Sequence, residues 1–357
     1  MTQILYDARW VGNHGIGRFA AEIQKRLPAL TAFDVTRKPW HPLDPWLVGG
    51  SLRRLRPRMF FSPGYNSPLG WPGEFVFTLH DLNHLRVPDN SNTLKRAYYR
   101  YVIRPACHRA AFVLTVSDYS KHEIAAWAGV TEDRVINVGN GVGLPFVSSG
   151  NAYSPGYPYL LYVGSRKPHK NLSRLLHAYA TSGVQRDVYL VFSGSPDAQI
   201  LAESARLAIT ERVKFIEVSD NKVLASVYRG ATAFLFPSLY EGFGLPPLEA
   251  MACGVPVLTS NVCSLPEVVG DAAILVDPLS TDDIALGIRR LAHDTELRAQ
   301  LRHRGLARAA TFRWEDTSRK VSEALARITG DLAFDEQDVE APVSELTAPS
   351  LLRSNYD

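Results

Sequence analysis

The sequence predicts an α/β protein of two doubly wound parallel sheets facing each other across a cleft, and three observations predict it. Apolar runs of strand length alternate with stretches of helical period in both halves of the chain. Residues 148–158, SSGNAYSPGYP, are rich in Ser, Gly and Pro and read as a linker between the halves. Loops carrying glycine or basic residues follow the first strand of each half, where an open sheet takes its ligand. The expected divisions are 1–150, 151–330 and a tail at 331–357, and 357 residues suffice for two cores.

In the first half, residues 2–6 form the opening strand. Gly12, Gly15 and Gly17 form the following loop, before a helix from about Arg18 to Leu27. That loop is either a ligand loop or a tight turn needing positive φ. Met59–Ser62 and Phe75–Thr78 are strands, and the second leads into Leu79-His80-Asp81. His80 thus sits at a strand's carboxyl end, as a ligand contact or as a hydrogen-bonded loop histidine. Arg53, Arg54, Arg56 and Arg58 read as a basic loop. Thr93–Ala110 reads as one helix dense in arginine and tyrosine that Pro105 kinks or ends. Ala111–Val116 is a strand with a helix cap at Ser117, and Val135–Val138 is the last strand of this half.

In the second half, Tyr159–Val163 is a strand, and Gly164–Asn171 (GSRKPHKN) is a basic loop before a helix beginning at Leu172. Arg166 and Lys170 lie between strand and helix, so their charge and the helix N-terminus can converge on one anion; the alternative is a solvated turn. Val188–Phe192, Val213–Ile216 and Ala233–Phe236 are strands. A loop with Glu241, Gly242, Phe243 and Gly244 follows the last of these, then a helix with Pro246 and Pro247 at its start, Glu249 in its first turn and Gly254 past its end. Val255–Thr259 is the next strand. Taken singly, Glu241 reads as a solvated loop charge and Glu249 as a carboxylate complementing the helix dipole. The constellation of strand, glycine loop, helix start and two carboxylates is far less common. Three helices close the chain at 282–294, 296–310 and 314–329.

The segment GFGLPPLEAMACGVPV, the carboxylates Glu241 and Glu249 spaced eight positions apart around it, and SLPEVVGDAAILVDP after it resemble glycosyltransferase family 4. The resemblance implies the GT-B fold, with an acceptor-binding first domain and a nucleotide-sugar-binding second domain. It implies a last helix, about 312–330, that crosses back to the first domain, and a retaining, metal-independent hexosyltransferase with no cofactor. On that resemblance Glu249 holds the donor's ribose hydroxyls, while Glu241, with Gly242, Phe243, Gly244 and Leu245 around it, holds the donor sugar. Arg166 and Lys170 grip the diphosphate, although relatives often place the arginine where this chain has His169. His80 matches the family's "HD" histidine near the anomeric centre. Gly15 and Gly17, in G-I-G-R, match its N-terminal loop beside the donor phosphates. Glu267, in SLPE, lies in a donor-touching loop but its side chain reads as a helix-start carboxylate. The donor looks most like GDP-mannose in polysaccharide or lipopolysaccharide assembly, with UDP- or dTDP-sugars as alternatives.

Composition is that of a soluble globular protein, with 46% apolar and 21% charged residues. Three cysteines without metal-ligand spacing, no signal-like start and no apolar run of membrane length point to the cytoplasm. The net charge of +3 hides an asymmetry: residues 1–150 carry 18 Lys/Arg against 11 Asp/Glu, while 331–357 carry 1 against 7. The basic first half suggests an anionic partner, for which membrane lipid, a phosphorylated acceptor or nucleic acid would fit, and the arginine- and tyrosine-rich 93–110 stretch reads either as contact with the inner membrane face or as a solvated basic face. Nothing resembles a nucleic-acid motif. A nucleotide-sugar epimerase of the same fold and a non-enzymatic two-lobed binding protein are the competing functions. Without a D-x-D triplet, fixed cations take the place of a metal on the departing diphosphate.

Overall fold

A computed structural model describes residues 4–330 except 13, 34–38, 40, 89 and 90. The acidic tail expected at 331–357 lies outside the described residues. The chain forms two six-stranded sheets, every strand pairing parallel to its neighbours.

The first sheet holds β1 (Ile4–Tyr6), β2 (Leu30–Ala32), β3 (Met59–Ser62), β4 (Glu74–Thr78), β5 (Phe112–Thr115) and β6 (Val135–Asn137), in the order β2-β1-β3-β4-β5-β6. Alternate residues face opposite ways, as the pleat requires. Leu5, Phe60, Phe75, Phe77 and Val113 enter one core, and Tyr6, Phe61, Val76 and Leu114 the other. Helix α1 (Gly15–Arg26) buries Phe19 and Ile23 in the second core. The first core is covered by α2 (Asp44–Leu55), α4 (Thr93–Tyr98), α5 (Arg104–Arg109) and α6 (Asp118–Ala128), with the short α3 (Asn83–Arg86) at the sheet's end.

Two local expectations change here. Arg53 and Arg54 end α2 rather than lying in a loop, and Arg56 caps it in the left-handed region. The 93–110 run is a single rod, but Tyr99–Ile103 forms a π-helical turn between α4 and α5. Pro105 has no N–H and its ring would collide with the carbonyl four residues back in a regular helix, and the wider turn relieves both.

The second sheet holds β7 (Tyr159–Tyr162), β8 (Tyr189–Ser193), β9 (Val213–Ile216), β10 (Ala233–Phe236), β11 (Val257–Ser260) and β12 (Ala273–Val276), ordered β12-β11-β10-β7-β8-β9. Around it lie α7 (Leu172–Ser182), α8 (Ala198–Arg206), α9 (Asn221–Gly230), α10 (Leu245–Ala252), α11 (Leu265–Val269), α12 (Thr281–His293) and α13 (Thr295–Ala309). The final helix α14 (Trp314–Thr329) packs on the first domain: Arg26 Nη2 meets Glu315 Oε1 at 2.9 Å, and Arg58 bonds the Thr329 carbonyl. No helix among the described residues is long and apolar enough to cross a membrane.

Strand order locates the ligand crevice. The winding reverses between β1 and β3 in the first sheet and between β7 and β10 in the second. An open parallel sheet binds its ligand outside the carboxyl ends of the strands at such a reversal.

Candidate functional site

On the second domain, the reversal brings together the segments after β7 and after β10. Pro168–Lys170 form a single 3₁₀ turn ending at Asn171, whose backbone is left-handed, φ 62°. The Asn171 amide donates to the carbonyls of Pro237 (3.0 Å) and Pro278 (2.7 Å), and Leu239 N donates to His169 O at 2.7 Å, stitching the two segments together. So placed, Lys170 Nζ reaches Glu241 Oε1 at 2.5 Å and lies 4.9 Å above the Phe236 ring.

The 241–244 loop is held from below by the Ser264 hydroxyl, which bonds the carbonyls of Glu241 (2.9 Å) and Phe243 (2.8 Å). Gly244 has φ 116°, and a Cβ there would lie 2.8 Å from Leu265, so glycine is required. Helix α10 then starts at Leu245, with proline in its first turn. Pro246 and Pro247 have no N–H and Leu248 N pairs with Gly244 O at 3.3 Å, so what this terminus offers an anion at the strand's carboxyl edge is chiefly the positive end of the helix.

Glu249 is displaced from its expected place. Because α10 begins at Leu245, Glu249 falls in the second turn, beyond the free N–H groups, and the helix terminus does not hold its charge. Its carboxylate is only 3% exposed, pairs with Arg18 from the other domain and accepts the Tyr228 hydroxyl at 3.2 Å. Arg166 also differs from the expected convergence with Lys170. It turns along the sheet, donating through Nη2 to Ser193 O at 2.5 Å and lying over Phe192 and Tyr162. Its Nη1 is buried without a hydrogen-bond partner among the described residues. The two cations therefore share no protein partner, and Arg166 keeps one donor to spare.

On the first domain, α1 begins earlier than its sequence suggests, so Gly15 and Gly17 are its first turn, capped by His14 Nδ1 accepting from Gly17 N at 2.9 Å. Neither has positive φ. Gly17 is required by close approach: a Cβ would lie 2.3 Å from the Gly12 carbonyl. With its N–H given to His14, Gly17 is scaffold, whereas Gly15 is exposed and faces Leu245 of α10. His80 bonds the Pro63 carbonyl through Nε2 at 2.9 Å and packs edge-on to Phe19, ring centroids 5.1 Å apart. A carbonyl only accepts, so Nε2 carries the proton and Nδ1 is the acceptor. Burial lowers the His80 pKa to about 4, so the ring is neutral at pH 7. Beside it, burial raises Asp81 to about 6, with the Glu241 charge adding to the effect.

Residues absent from the expected set join the walls. Tyr240 donates to Glu123 Oε2 (2.5 Å) and accepts from Leu82 N (3.0 Å). The hydroxyls of Ser117 (2.6 Å) and Ser120 (3.1 Å) bond the Gly242 carbonyl. Glu267 lies in the first turn of α11, as expected, yet its carboxylate accepts N–H groups of Asp118 (2.8 Å) and Tyr119 (3.2 Å) at the start of α6. It caps a helix of the opposite domain. Each stands beside a segment the sequence singles out, Tyr240 before Glu241, Arg18 at the end of G-I-G-R and Glu267 at the end of SLPE, but nothing along the chain marks their partners.

Comparisons with known proteins bear on the family and the fold. Residues 6–144 match the profile of Glycosyltransferase Family 4, and residues 149–308 that of Glycosyl transferases group 1. The chain is 31% identical to the O-antigen chain mannosyltransferase B of Escherichia coli over 296 residues, 79% of this chain and 77% of that one. It is 30% identical over 263 residues to a serotype-specific mannosyltransferase of the same species, covering 69% of this chain but 32% of that longer protein. Sucrose-phosphate synthase of Thermosynechococcus elongatus shares the fold at a TM-score of 0.73 and 17% identity, covering 92% of this chain and 99% of that one. Two parallel-sheet domains of the GT-B architecture, two matching profiles and a relative aligned over most of both chains place this protein in glycosyltransferase family 4.

Proposed function

We propose that the chain moves mannose from GDP-mannose onto a glycan or lipid-linked saccharide during polysaccharide assembly. The carrying observation is the Lys170–Glu241 pair beside the start of α10, at the winding reversal of the second sheet. A cation, a carboxylate and a helix N-terminus at one strand edge suit a sugar diphosphate: positive groups for the phosphates, an acidic acceptor for sugar hydroxyls. The mannosyltransferase relatives favour mannose over other hexoses.

As the glycosidic bond breaks, charge builds on the diphosphate. Lys170, the first turn of α10 and the spare Nη1 of Arg166 supply fixed positive partners, the kind of arrangement that contributes about 3–4 kcal/mol per donor in comparable sites. Lys170 Nζ packs 4.9 Å over the Phe236 ring, which fixes the position of its charge at the strand end. Glu241 orients sugar hydroxyls, and neutral His80, whose ring lies at the end of β4, borders the transferred sugar. The acceptor hydroxyl attacks the same face the phosphate leaves, and the phosphate oxygen takes its proton, retaining configuration without a metal.

The acceptor is held at a membrane surface. Tyr101, Leu94 and Trp46 are 69%, 81% and 55% exposed, and Arg53, Arg54, Arg56, Arg96 and Arg100 are exposed beside them in sequence. These residues lie on the helices that cover one face of the first sheet, α2 and the α4–α5 rod. Such a mixture suits peripheral contact with anionic lipid.

A thermal-shift panel of GDP-, UDP- and dTDP-sugars, followed by transfer assays with the stabilising donor, tests the assignment. GDP-mannose at a hundred times its dissociation constant should stabilise by about 2.7 kcal/mol. Stabilisation by a UDP- or dTDP-sugar alone would replace the donor, and release of an epimer without acceptor would replace the reaction. Sedimentation with liposomes should depend on anionic lipid.

A further inference from the structure

Arg18 ends the G-I-G-R segment, whose glycines alone were given a role above, and it occupies the second carboxylate of the site. Its guanidinium pairs with Glu249 Oε1 across the gap between domains, lies 5.0 Å over Phe146, and sits 3.5 Å from Asn221 Oδ1. The Arg18 side chain is 25% exposed, and that of Glu249 is 4% exposed. The other oxygen, Oε2, takes the Tyr228 hydroxyl. Both oxygens of Glu249 are thus engaged by protein groups. A carboxylate that holds adjacent ribose hydroxyls does so with both oxygens, so Arg18 and Tyr228 compete with a ribose for the acceptor positions of Glu249.

Displaced from Glu249, Arg18 has a second partner within reach. It lies in the first helical turns of α1, whose exposed Gly15 faces Leu245 at the start of α10. Glu249 and Leu245 are four residues apart on that helix, about 6 Å at 1.5 Å per residue. A guanidinium on its flexible stem spans that distance by rotating side-chain torsions. The N-termini of α1 and α10 converge there on the place where the diphosphate is proposed to lie.

We propose that Arg18 is a positioning residue that changes partners on donor binding: it closes the ribose carboxylate in the empty site and turns onto the diphosphate once the ribose takes Glu249. This rests on the nucleotide-sugar reading of the site. Its consequence is selectivity. A nucleoside must break a largely buried ion pair and leaves Arg18 with no anion in exchange. A nucleoside diphosphate breaks the same pair and supplies charge-assisted, two-pronged bonds in return. The site thereby rejects nucleosides, which carry the same base and ribose as the donor.

Calorimetric titration of wild type, Arg18→Gln and Arg18→Lys tests the exchange. The ligands are whichever of GDP, UDP and dTDP binds wild type, and the matching nucleoside. Arg18→Gln should bind the diphosphate about tenfold or more weaker, as expected for loss of a charged hydrogen-bonding partner. It should bind the nucleoside no worse than wild type, so the ratio of the two affinities falls at least tenfold. Arg18→Lys, which keeps the charge beside Glu249 but loses the two-pronged grip, should give an intermediate ratio. It carries the comparison if Arg18→Gln does not fold. An unchanged ratio, with both ligands weakened or strengthened alike, would show a static contact between domains and overturn the exchange. Binding of none of the three diphosphates by folded wild type would overturn the donor assignment itself, and the exchange with it.

Discussion

The two walls of the gap are built in different ways. On the second domain the functional groups come from contiguous strand–loop–helix units: Lys170 on the loop after β7, and Glu241, Gly244 and Leu245 on the run from β10 into α10. On the first domain they come one at a time from distant places: Arg18 in α1, His80 after β4, Ser117 before α6, Glu123 within it. A contiguous unit places its side chains largely through local geometry, so its chemistry is written in sequence order. A wall of single residues is assembled by domain approach, and no spacing along the chain records it.

The widest expected difference between the walls is at Lys170. Its ammonium pairs with Glu241, and Lys170→Ala removes the charge proposed to meet the departing diphosphate. Transfer should fall about a hundredfold or more, with the melting temperature changed by a few degrees at most. Initial rates at saturating acceptor measure it. Turnover within threefold of wild type would break the claim that the second domain carries the charge stabilisation.

Next in size is Gly242, where the walls touch. A Cβ on Gly242 would lie 2.6 Å from Asp81 Cβ and 2.7 Å from the His80 carbonyl, and backbone cannot swing aside as a flexible side chain can. Gly242→Ala should push the domains apart and weaken the Ser117 and Ser120 bonds to its carbonyl. At about 1–3 kcal/mol for such overpacking, kcat/KM should fall roughly tenfold or more. Most of the proposed donor contacts lie on the second domain, with Arg18 the exception, so nucleotide affinity should fall less than turnover. Equal losses in both would show that the contact shapes the donor pocket itself.

This contrast explains what the sequence revealed. The two doubly wound sheets were legible because buried strands such as Phe60-Phe61 and Phe234-Leu235 are short apolar runs between helical periods. Lys170, and Glu241 with Gly244, were legible because each lies in a short segment between a strand end and the next helix start. The start of α10 was placed one residue too late, since Leu245 precedes both prolines, and that residue moves Glu249 from the fourth to the fifth position of the helix. Helix α2 and β2 were not legible: β2 has only three residues, two of them exposed, and α2 carries glycines at 49 and 50 that mask its helical period. Glu267 and Tyr240 were opaque for another reason. Their partners, the N–H groups of α6 and the Glu123 carboxylate, lie more than a hundred positions away.

The last contrast, in stability rather than turnover, separates the walls by one histidine on each. Burial lowers both His80 and His169 to about 4, and Lys170 is a further cause for His169 but not among those for His80. Unfolded, either ring takes a proton near its ordinary value of about 6.5. Between that value and pH 4 the unfolded chain therefore binds more protons than the folded one, and folding stability falls as the pH falls. His80 alone contributes up to roughly 3 kcal/mol to that loss, so a folded His80→Asn variant should be less acid-sensitive than wild type, measured by denaturant unfolding at pH 7 and pH 4.5. Nuclear magnetic resonance of the imidazoles should show neither ring titrating between pH 7 and 5.5. In Lys170→Ala the His169 pKa should rise while His80 stays put, because the lost charge repelled the proton from His169. A matching shift at both rings would mean that the walls share one electrostatic environment, and the contrast between an inscribed wall and an assembled one would then hold for geometry but not for charge.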